Sequence, residues 1–308
     1  MKLLNPEVRI ETTNICNATC IMCPREKMDR IEGVMDMDLF KKIVDESKAL
    51  GAKAIFMGEP LTDPLLVERV QYVKDQGLFC NFISNGSLFE EKQARGFIEA
   101  GLDEVRFSFY GQTKEVYESV HRGLNYEITH RNIHRFLKLK KDMGKKNPTI
   151  LVYFLILNQN KDQVQAFRDE WENVADFIEI WAPHNFGYGR EYRQINAKKK
   201  TSCGRPKRGP IQFQYDGTMI PCCYDFDGKM ILGDIREKTI PEILKGEEYK
   251  ALRNAHESGD FSSHSFCDNC DQLLEHSDAL VFTNRHNLPP EEAVLLTNSN
   301  HFNLASSG

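Results

Sequence analysis

The sequence lacks any long apolar run: the longest, Ile150–Leu157, is less than half of the about 20 residues a helix needs to cross a bilayer. It lacks an excess of positive charge. Forty Lys and Arg stand against 45 Asp and Glu, a net charge of −5, so neither bulk nucleic acid nor an anionic membrane is expected as a partner. The opening residues, Met1-Lys2-Leu3-Leu4-Asn5-Pro6, lack the apolar core of a signal peptide, and we expect a cytoplasmic, reducing location. Repeats and low-complexity tracts are missing too. With 41% hydrophobic and 28% charged residues in 308, the composition is globular and the length fits two ordinary domains, or one barrel with an appendage.

What the chain does have is cysteine. Nine cysteines are poorly explained by disulfides in a reducing compartment, and they are clustered. Cys16, Cys20 and Cys23 form one group; Cys203, Cys222, Cys223, Cys267 and Cys270 form another; Cys80 stands alone in an apolar stretch and reads as core. Metal binding is the better reading of both groups.

Up to about residue 185 the pattern alternates strands and helices. β-Branched and aromatic runs at Val8–Thr12, Ala54–Met57, Phe79–Ile83, Glu104–Phe109, Ile150–Leu157 and Phe177–Trp181 predict six strands. Amphipathic stretches at Asp36–Leu50, Pro64–Gln76, Glu90–Ala100 and Asn132–Met143 predict helices between them. Such alternation predicts an α/β fold with a parallel sheet, curled into a partial barrel, whose functional loops follow the strand C-termini. Cys16, Gly58-Glu59 and Ser84-Asn85-Gly86 all fall at such ends. Residues 186–202 read as a linker. Beyond it, Ile211–Tyr215 and Met219–Pro221 flank Asp216-Gly217, a hairpin turn signal, and a helix is predicted over Thr239–Ala255. The expected division is 1–185 barrel, 203–275 C-terminal cysteine domain of hairpin plus helix, and 276–308 an extension without an interpretable motif.

The first cysteine group has the spacing Cys-x3-Cys-x2-Cys on a loop after a strand. Three close thiolates with no evident fourth suggest an iron–sulfur cluster with one iron left open, since cubane clusters normally take four thiolates. The stretch Thr13-Asn14-Ile15-Cys16-Asn17-Ala18-Thr19-Cys20-Ile21-Met22-Cys23-Pro24 resembles the signature of the radical S-adenosylmethionine enzymes. The resemblance implies a partial (β/α)6 TIM-like barrel and a [4Fe–4S] cluster on Cys16, Cys20 and Cys23. The open iron of that cluster chelates S-adenosylmethionine, and one electron releases a 5′-deoxyadenosyl radical. Gly58-Glu59-Pro60 is similar to the family's Gly-Gly-Glu motif, which binds the methionine amino group, with Met57 in place of the first glycine. Position then makes Ser84, Asn85 and Ser108 candidates for nucleoside contacts and Arg122 for the methionine carboxylate, while Met22 by analogy lies near the adenine.

On chemistry alone, Cys203, Cys222, Cys267 and Cys270 suit either zinc or a second cluster. Asp216 to Cys222, Leu232 to Ile235 and Cys267 to Cys270 resemble the auxiliary-cluster domain called SPASM, or twitch in its shortened form, which implies an auxiliary [4Fe–4S] cluster on those four cysteines. Cys223 has three readings: packing, ligation, or hydrogen-atom donation to a substrate radical. His184 and Tyr153 are placed to meet substrate; the other histidines named by their positions, His256, His264, His276 and His286, lack ligand spacing.

Within the family the likeness is greatest to dehydrogenases that oxidise an aminocyclitol alcohol. The expected function is therefore an oxidoreductase acting on a small polar, sugar-like molecule, supplied with electrons by a flavodoxin or ferredoxin. A radical epimerase with Cys223 as hydrogen donor and a peptide-modifying maturase are the alternatives. The position of Cys16 leads us to expect no leader-binding module ahead of the barrel, which counts against the maturase. A zinc scaffold without catalysis is the reading from a different class, and iron content separates it from the rest.

Overall fold

A computed structural model of the chain describes residues 7–185, 197–275 and 279–285. Six strands, β1 (Glu7–Glu11), β2 (Lys53–Met57), β3 (Cys80–Ser84), β4 (Glu104–Ser108), β5 (Thr149–Leu155) and β6 (Phe177–Trp181), lie parallel in chain order. Helices α1 (Met37–Ala49), α2 (Leu66–Asp75), α3 (Glu91–Glu99), α4 (Lys114–Val120), α5 (Tyr126–Asp142) and α6 (Val164–Trp171) lie between them in the chain. This is the partial (β/α)6 barrel expected from the alternation. It does not close, because β1 takes β7 (Ile211–Phe213) as its other neighbour rather than β6.

The C-terminal part extends the same sheet. After the four-residue helix α7 (Arg205–Arg208), β7 pairs parallel with β1. Antiparallel β8 (Thr218–Ile220) and β9 (Gly233–Asp234) follow. The predicted Asp216-Gly217 turn joins β7 to β8. The single predicted helix is two, α8 (Ile240–Lys245) and α9 (Glu247–Ser258), because Gly246 is extended and restarts the helix; α10 (Ser265–Asp268) precedes Cys270. The extension holds a strand that the sequence reading missed: β10 (Leu280–Thr283) pairs antiparallel with β6. Most of the predicted linker, residues 186–196, lies outside the described residues. No described helix is long and apolar enough to cross a membrane.

Side-chain alternation decides what each strand face meets. Val8 and Ile10, Val105 and Phe107, Val152 and Phe154, and Ile178 and Ile180 are buried, and the helices cover them. Phe40 of α1 meets Phe56 edge-on at 5.5 Å, and Phe89 gathers Phe97, Phe107 and Phe136 within 5.6 Å. Emptying one such aromatic position costs about 3–5 kcal/mol. The opposite strand faces carry Glu7, Arg9 and Glu11 on β1, Glu104, Arg106 and Ser108 on β4, Tyr153 on β5, and Glu179 and Trp181 on β6. A closed barrel of this type fills its interior with branched apolar side chains. Here the lumen is charged, and a charged, partly buried lumen needs partners or a polar occupant.

Candidate functional site

The loop after β1 carries the first cysteines, and hydrogen bonds fix it from three sides. Residues 31–35 brace one side. Asn14 Oδ1 accepts from the Gly33 N–H at 2.8 Å, Asn14 Nδ2 donates to the Ile31 carbonyl at 2.9 Å, and the Met35 N–H donates to the Thr12 carbonyl at 2.8 Å. The turn after α4 braces another: the Thr19 N–H donates to the Arg122 carbonyl at 2.9 Å and the Ile21 N–H to the Val120 carbonyl at 3.0 Å. The third side is the loop after β2. Thr62 Oγ1 donates to the Ile15 carbonyl at 3.1 Å. Gly58 sits at φ +90°, where an added Cβ would lie 2.0 Å from the Thr13 carbonyl oxygen, so only glycine lets the two loops meet.

The three thiols crowd one another. Burial first, then the charges of Glu59 and Cys23, push the Cys16 thiol up to about 11, and burial with Cys23 and Cys16 pushes Cys20 higher still. Cys20 Sγ also lies 3.4 Å from Nδ1 of His121. The Tyr110 N–H donates to the other ring nitrogen, Nε2, at 3.2 Å. Burial pushes the His121 ring well down, to about 3, so it is neutral. Its proton is therefore on Nδ1, and His121 donates to the sulfur. Tyr110 and Tyr117 hold the ring, each 4.7 Å away between centroids.

Glu59 ties the loops after β2 and β3 together. Its carboxylate accepts from Ser84 Oγ at 2.7 Å, the Asn85 N–H at 2.8 Å and the Leu61 N–H at 3.3 Å. Burial outweighs those donors and raises the carboxyl to about 7. Asn85 Nδ2 reaches Asn17 Oδ1 in the cysteine loop at 3.0 Å. Of the residues singled out from sequence, Cys16, Cys20, Cys23, Gly58, Glu59, Ser84 and Asn85 thus form one connected neighbourhood. Ser108 joins it through Tyr110, whose hydroxyl donates to Ser108 Oγ at 3.0 Å and feels the charges of Cys20 and Cys23. Arg122 is exposed on the turn that holds Thr19, and Met22 is half-buried within the loop.

The second group gathers at the other end of β1. The hairpin sets the direction: β8 runs antiparallel to β7 and β1, returning Cys222 and Cys223 toward the start of β1, whereas Cys16 follows its end. The five residues of β1 span about 13 Å, so the two groups lie at opposite mouths of the lumen. Cys267 and Cys270 each feel Cys203, and Cys222 feels Cys270. Burial is the largest cause of their raised values, about 12 for Cys267 and Cys270. Crowded, buried thiols of this kind ionise readily only around a cationic centre.

Cys223 adjoins that set, its charge felt by Cys222 and, with Cys222 and Cys203, by Arg205, and Arg9 Nη1 donates to its sulfur at 3.4 Å. Along the lumen, Glu104 accepts from Asn81 Nδ2 at 3.2 Å and from Arg285 at 3.1 Å and also pairs with Arg106. Register aligns Ser108, Tyr153 and Glu179 in one row. Glu179 accepts from Trp181 Nε1 at 3.0 Å, and burial raises its carboxyl. Tyr153 lies inward beneath Arg106, and His184 Nδ1 accepts from the Gln272 amide at 3.1 Å. The sequence reading missed Arg9 and His121. Alternation of Arg9 with Val8 and Ile10 was a usable signal; the His121–Cys20 contact spans 101 positions and left none.

Known proteins fit this arrangement. The model of the radical SAM superfamily matches residues 10–170, just over half of the chain, and that of an iron–sulfur cluster-binding domain, SPASM, matches 203–271. The chain belongs to the radical SAM superfamily. It is a radical SAM enzyme whose cofactors are S-adenosylmethionine, a [4Fe–4S] cluster and auxiliary iron–sulfur chemistry in the SPASM domain. More particularly, it is 29% identical over 295 residues to the tungsten-containing aldehyde ferredoxin oxidoreductase cofactor-modifying protein of Pyrococcus furiosus, covering 79% of this chain and 82% of that one. It is 27% identical over 175 residues to a probable GTP 3′,8-cyclase of Methanococcus maripaludis, covering 56% of this chain and 57% of that relative's length. Among solved structures, BtrN in complex with AdoMet and 2-DOIA superposes with a TM-score of 0.64 at 20% identity, covering 88% of this chain and 94% of that one. SuiB of Streptococcus suis, bound to its precursor peptide SuiA, gives 0.67 at 13%, covering 88% and 70%. At those identities the two structures show a shared fold.

Proposed function

We propose that this enzyme is a dehydrogenase of a small, polar, sugar-like alcohol, with the substrate held in the lumen between the two cysteine groups. In this reading Cys16, Cys20 and Cys23 hold the [4Fe–4S] cluster, and Cys203, Cys222, Cys267 and Cys270 hold the auxiliary one. Gly58, Glu59, Ser84, Asn85, Ser108, Met22 and Arg122 form the S-adenosylmethionine site. When bound, the first cluster and S-adenosylmethionine supply the hydrogen-abstracting radical, and the auxiliary cluster supplies an electron acceptor. The chain's own residues supply the rest. Arg9, Arg106 and Tyr153 offer donors to substrate hydroxyls, and the Glu179 carboxylate takes the hydroxyl proton, its raised value suiting a general base. The helices and the C-terminal domain exclude water.

The observation that supports this reading is that the two cysteine groups lie at opposite ends of one charged lumen. An electron can leave the substrate on the side away from the S-adenosylmethionine site. BtrN, whose structure holds AdoMet and 2-DOIA together, supports it by its shared fold. In the epimerase alternative Cys223 returns a hydrogen atom. Arg9 is a donor only, so it engages a lone pair of that sulfur, a contact that an S–H aimed at substrate can keep. The measurement is iron and sulfide content after anaerobic reconstitution, for the wild type and a Cys16/Cys20/Cys23 triple alanine variant. About eight irons falling to about four supports the reading. Complete iron loss in the triple variant removes the second electron acceptor and sinks it. Turnover of an alcohol to a ketone that survives Cys223→Ala separates dehydrogenase from epimerase.

A further inference from the structure

On the outer helical layer, away from both cysteine groups, His130 and His134 of α5 converge with Glu170 of α6. Their ligand atoms all lie within 4.8 Å of one another, the one such trio of His, Cys, Asp or Glu among the described residues. Spacing of i, i+4 puts both imidazoles on one helix face, as in helical zinc sites. His130 Nε2 contacts Glu170 Oε1, and His134 Nε2 lies 3.6 Å from the same oxygen. That second distance is too long for a hydrogen bond, and His134 Nε2 is buried with no hydrogen-bond partner. Such an orphan costs about 1–3 kcal/mol, and it points into the trio.

The surroundings hold the three groups in place. With the Gln112 side-chain amide turned by 180°, the orientation its neighbours require, its nitrogen donates to the other carboxylate oxygen, Glu170 Oε2, and its oxygen accepts from Trp171 Nε1 at 3.3 Å. Gln112 is itself anchored where its backbone N–H donates to Gln163 Oε1 at 2.7 Å. The Trp171 ring packs 4.8 Å from His134 and 5.6 Å from His130, and Tyr126 stacks on His130 at 5.6 Å. A carboxylate oriented through its second oxygen and imidazoles fixed by aromatic walls are the support that metal ligands normally have. The three side chains keep 28–37% of their surface exposed, so the trio is not sealed from solvent.

We infer that His130, His134 and Glu170 form a binding site for one divalent transition-metal ion, with zinc the best match. Two nitrogens and one carboxylate oxygen suit a borderline ion with an open fourth position. Magnesium and calcium prefer oxygen-only sets. The ion joins α5 to α6 on the outside of the barrel and uses His134 Nε2, which the protein alone leaves unsatisfied.

The test is equilibrium dialysis of cluster-reconstituted protein against zinc chloride, followed by metal analysis. The wild type should hold one zinc more than a His130→Ala/His134→Ala variant of equal iron content and helicity. Glu170→Gln should weaken zinc binding at least tenfold, and zinc should raise the melting temperature of the wild type alone. Equal zinc uptake by the wild type and the double variant overturns the inference. Should the double variant fail to fold, the near-isosteric Glu170→Gln decides, and unchanged zinc affinity in it overturns the inference.

Discussion

Replacing Gly58 by alanine tests whether the first two loops are held together by a contact that only glycine permits. Two costs are separable. Gly58 lies at φ +90°, where an L-residue loses about 1–2 kcal/mol. The new Cβ would also start 2.0 Å from the Thr13 carbonyl oxygen, against 3.4 Å for ordinary contact, so one loop must retreat by about 1.4 Å. Thr13 leads into the Cys16–Cys23 loop and Glu59 follows Gly58, so the retreat displaces the cysteines from the Glu59–Ser84–Asn85 network. A misplacement of about 1 Å in a reacting site can cost about 100-fold in rate. Gly144→Ala is the control: it has φ +63° with nothing within 4 Å of its added Cβ, and carries the backbone cost alone. Thermal unfolding should show Gly58→Ala losing more stability than Gly144→Ala. S-Adenosylmethionine cleavage under dithionite should fall about 100-fold in Gly58→Ala and stay unchanged in Gly144→Ala. Equal stability losses with full cleavage activity in Gly58→Ala would refute the steric reasoning.

Other consequences are open to measurement. Glu59 has an ordinary value of 4.5 and is raised by burial to about 7. The folded state therefore binds the proton more tightly, and this group's contribution is full below about pH 4.5 and is lost as pH rises to about 7, on the order of 3 kcal/mol. Denaturant titrations of the ligand-free protein across that window should show the slope, and Glu59→Gln should remove it. His121→Phe keeps a ring between Tyr110 and Tyr117 but deletes the donor to Cys20. EPR-monitored redox titration should find the first cluster's potential lowered by about 59 mV for each tenfold fall in the reduced fraction, with recovery in His121→Asn; an unmoved potential would show that the contact is packing only. Asp63 and Arg69 form a fully buried ion pair at 2.7 Å. Asp63→Ala should cost about 3–5 kcal/mol by stranding the guanidinium, and chemical denaturation reads it directly.

Much of the barrel is a local matter. β-Branched and aromatic runs and helical periodicity are properties of short stretches, which is why the six strands were legible within a residue or two. The same holds for the spacing of Cys16, Cys20 and Cys23, set by one loop, and for the Asp216-Gly217 turn. Gly246 shows the limit of such reading: the periodicity through Thr239–Ala255 is continuous, and only the extended backbone at that residue splits it. β10 was missed although Leu280-Val281-Phe282-Thr283 is a short β-branched and aromatic run; its place in the sheet follows only from its pairing with β6. The sequence by itself determined the strand and helix pattern, the cysteine spacings and the family they resemble. Only the tertiary structure decided that the two cysteine groups face one lumen from opposite ends. It alone decided that Arg9 meets Cys223, that His121 donates to Cys20, and that His130 and His134 meet Glu170. Each depends on contacts between residues distant in the chain, whose positions follow from how the sheet curls and which edge β7 occupies.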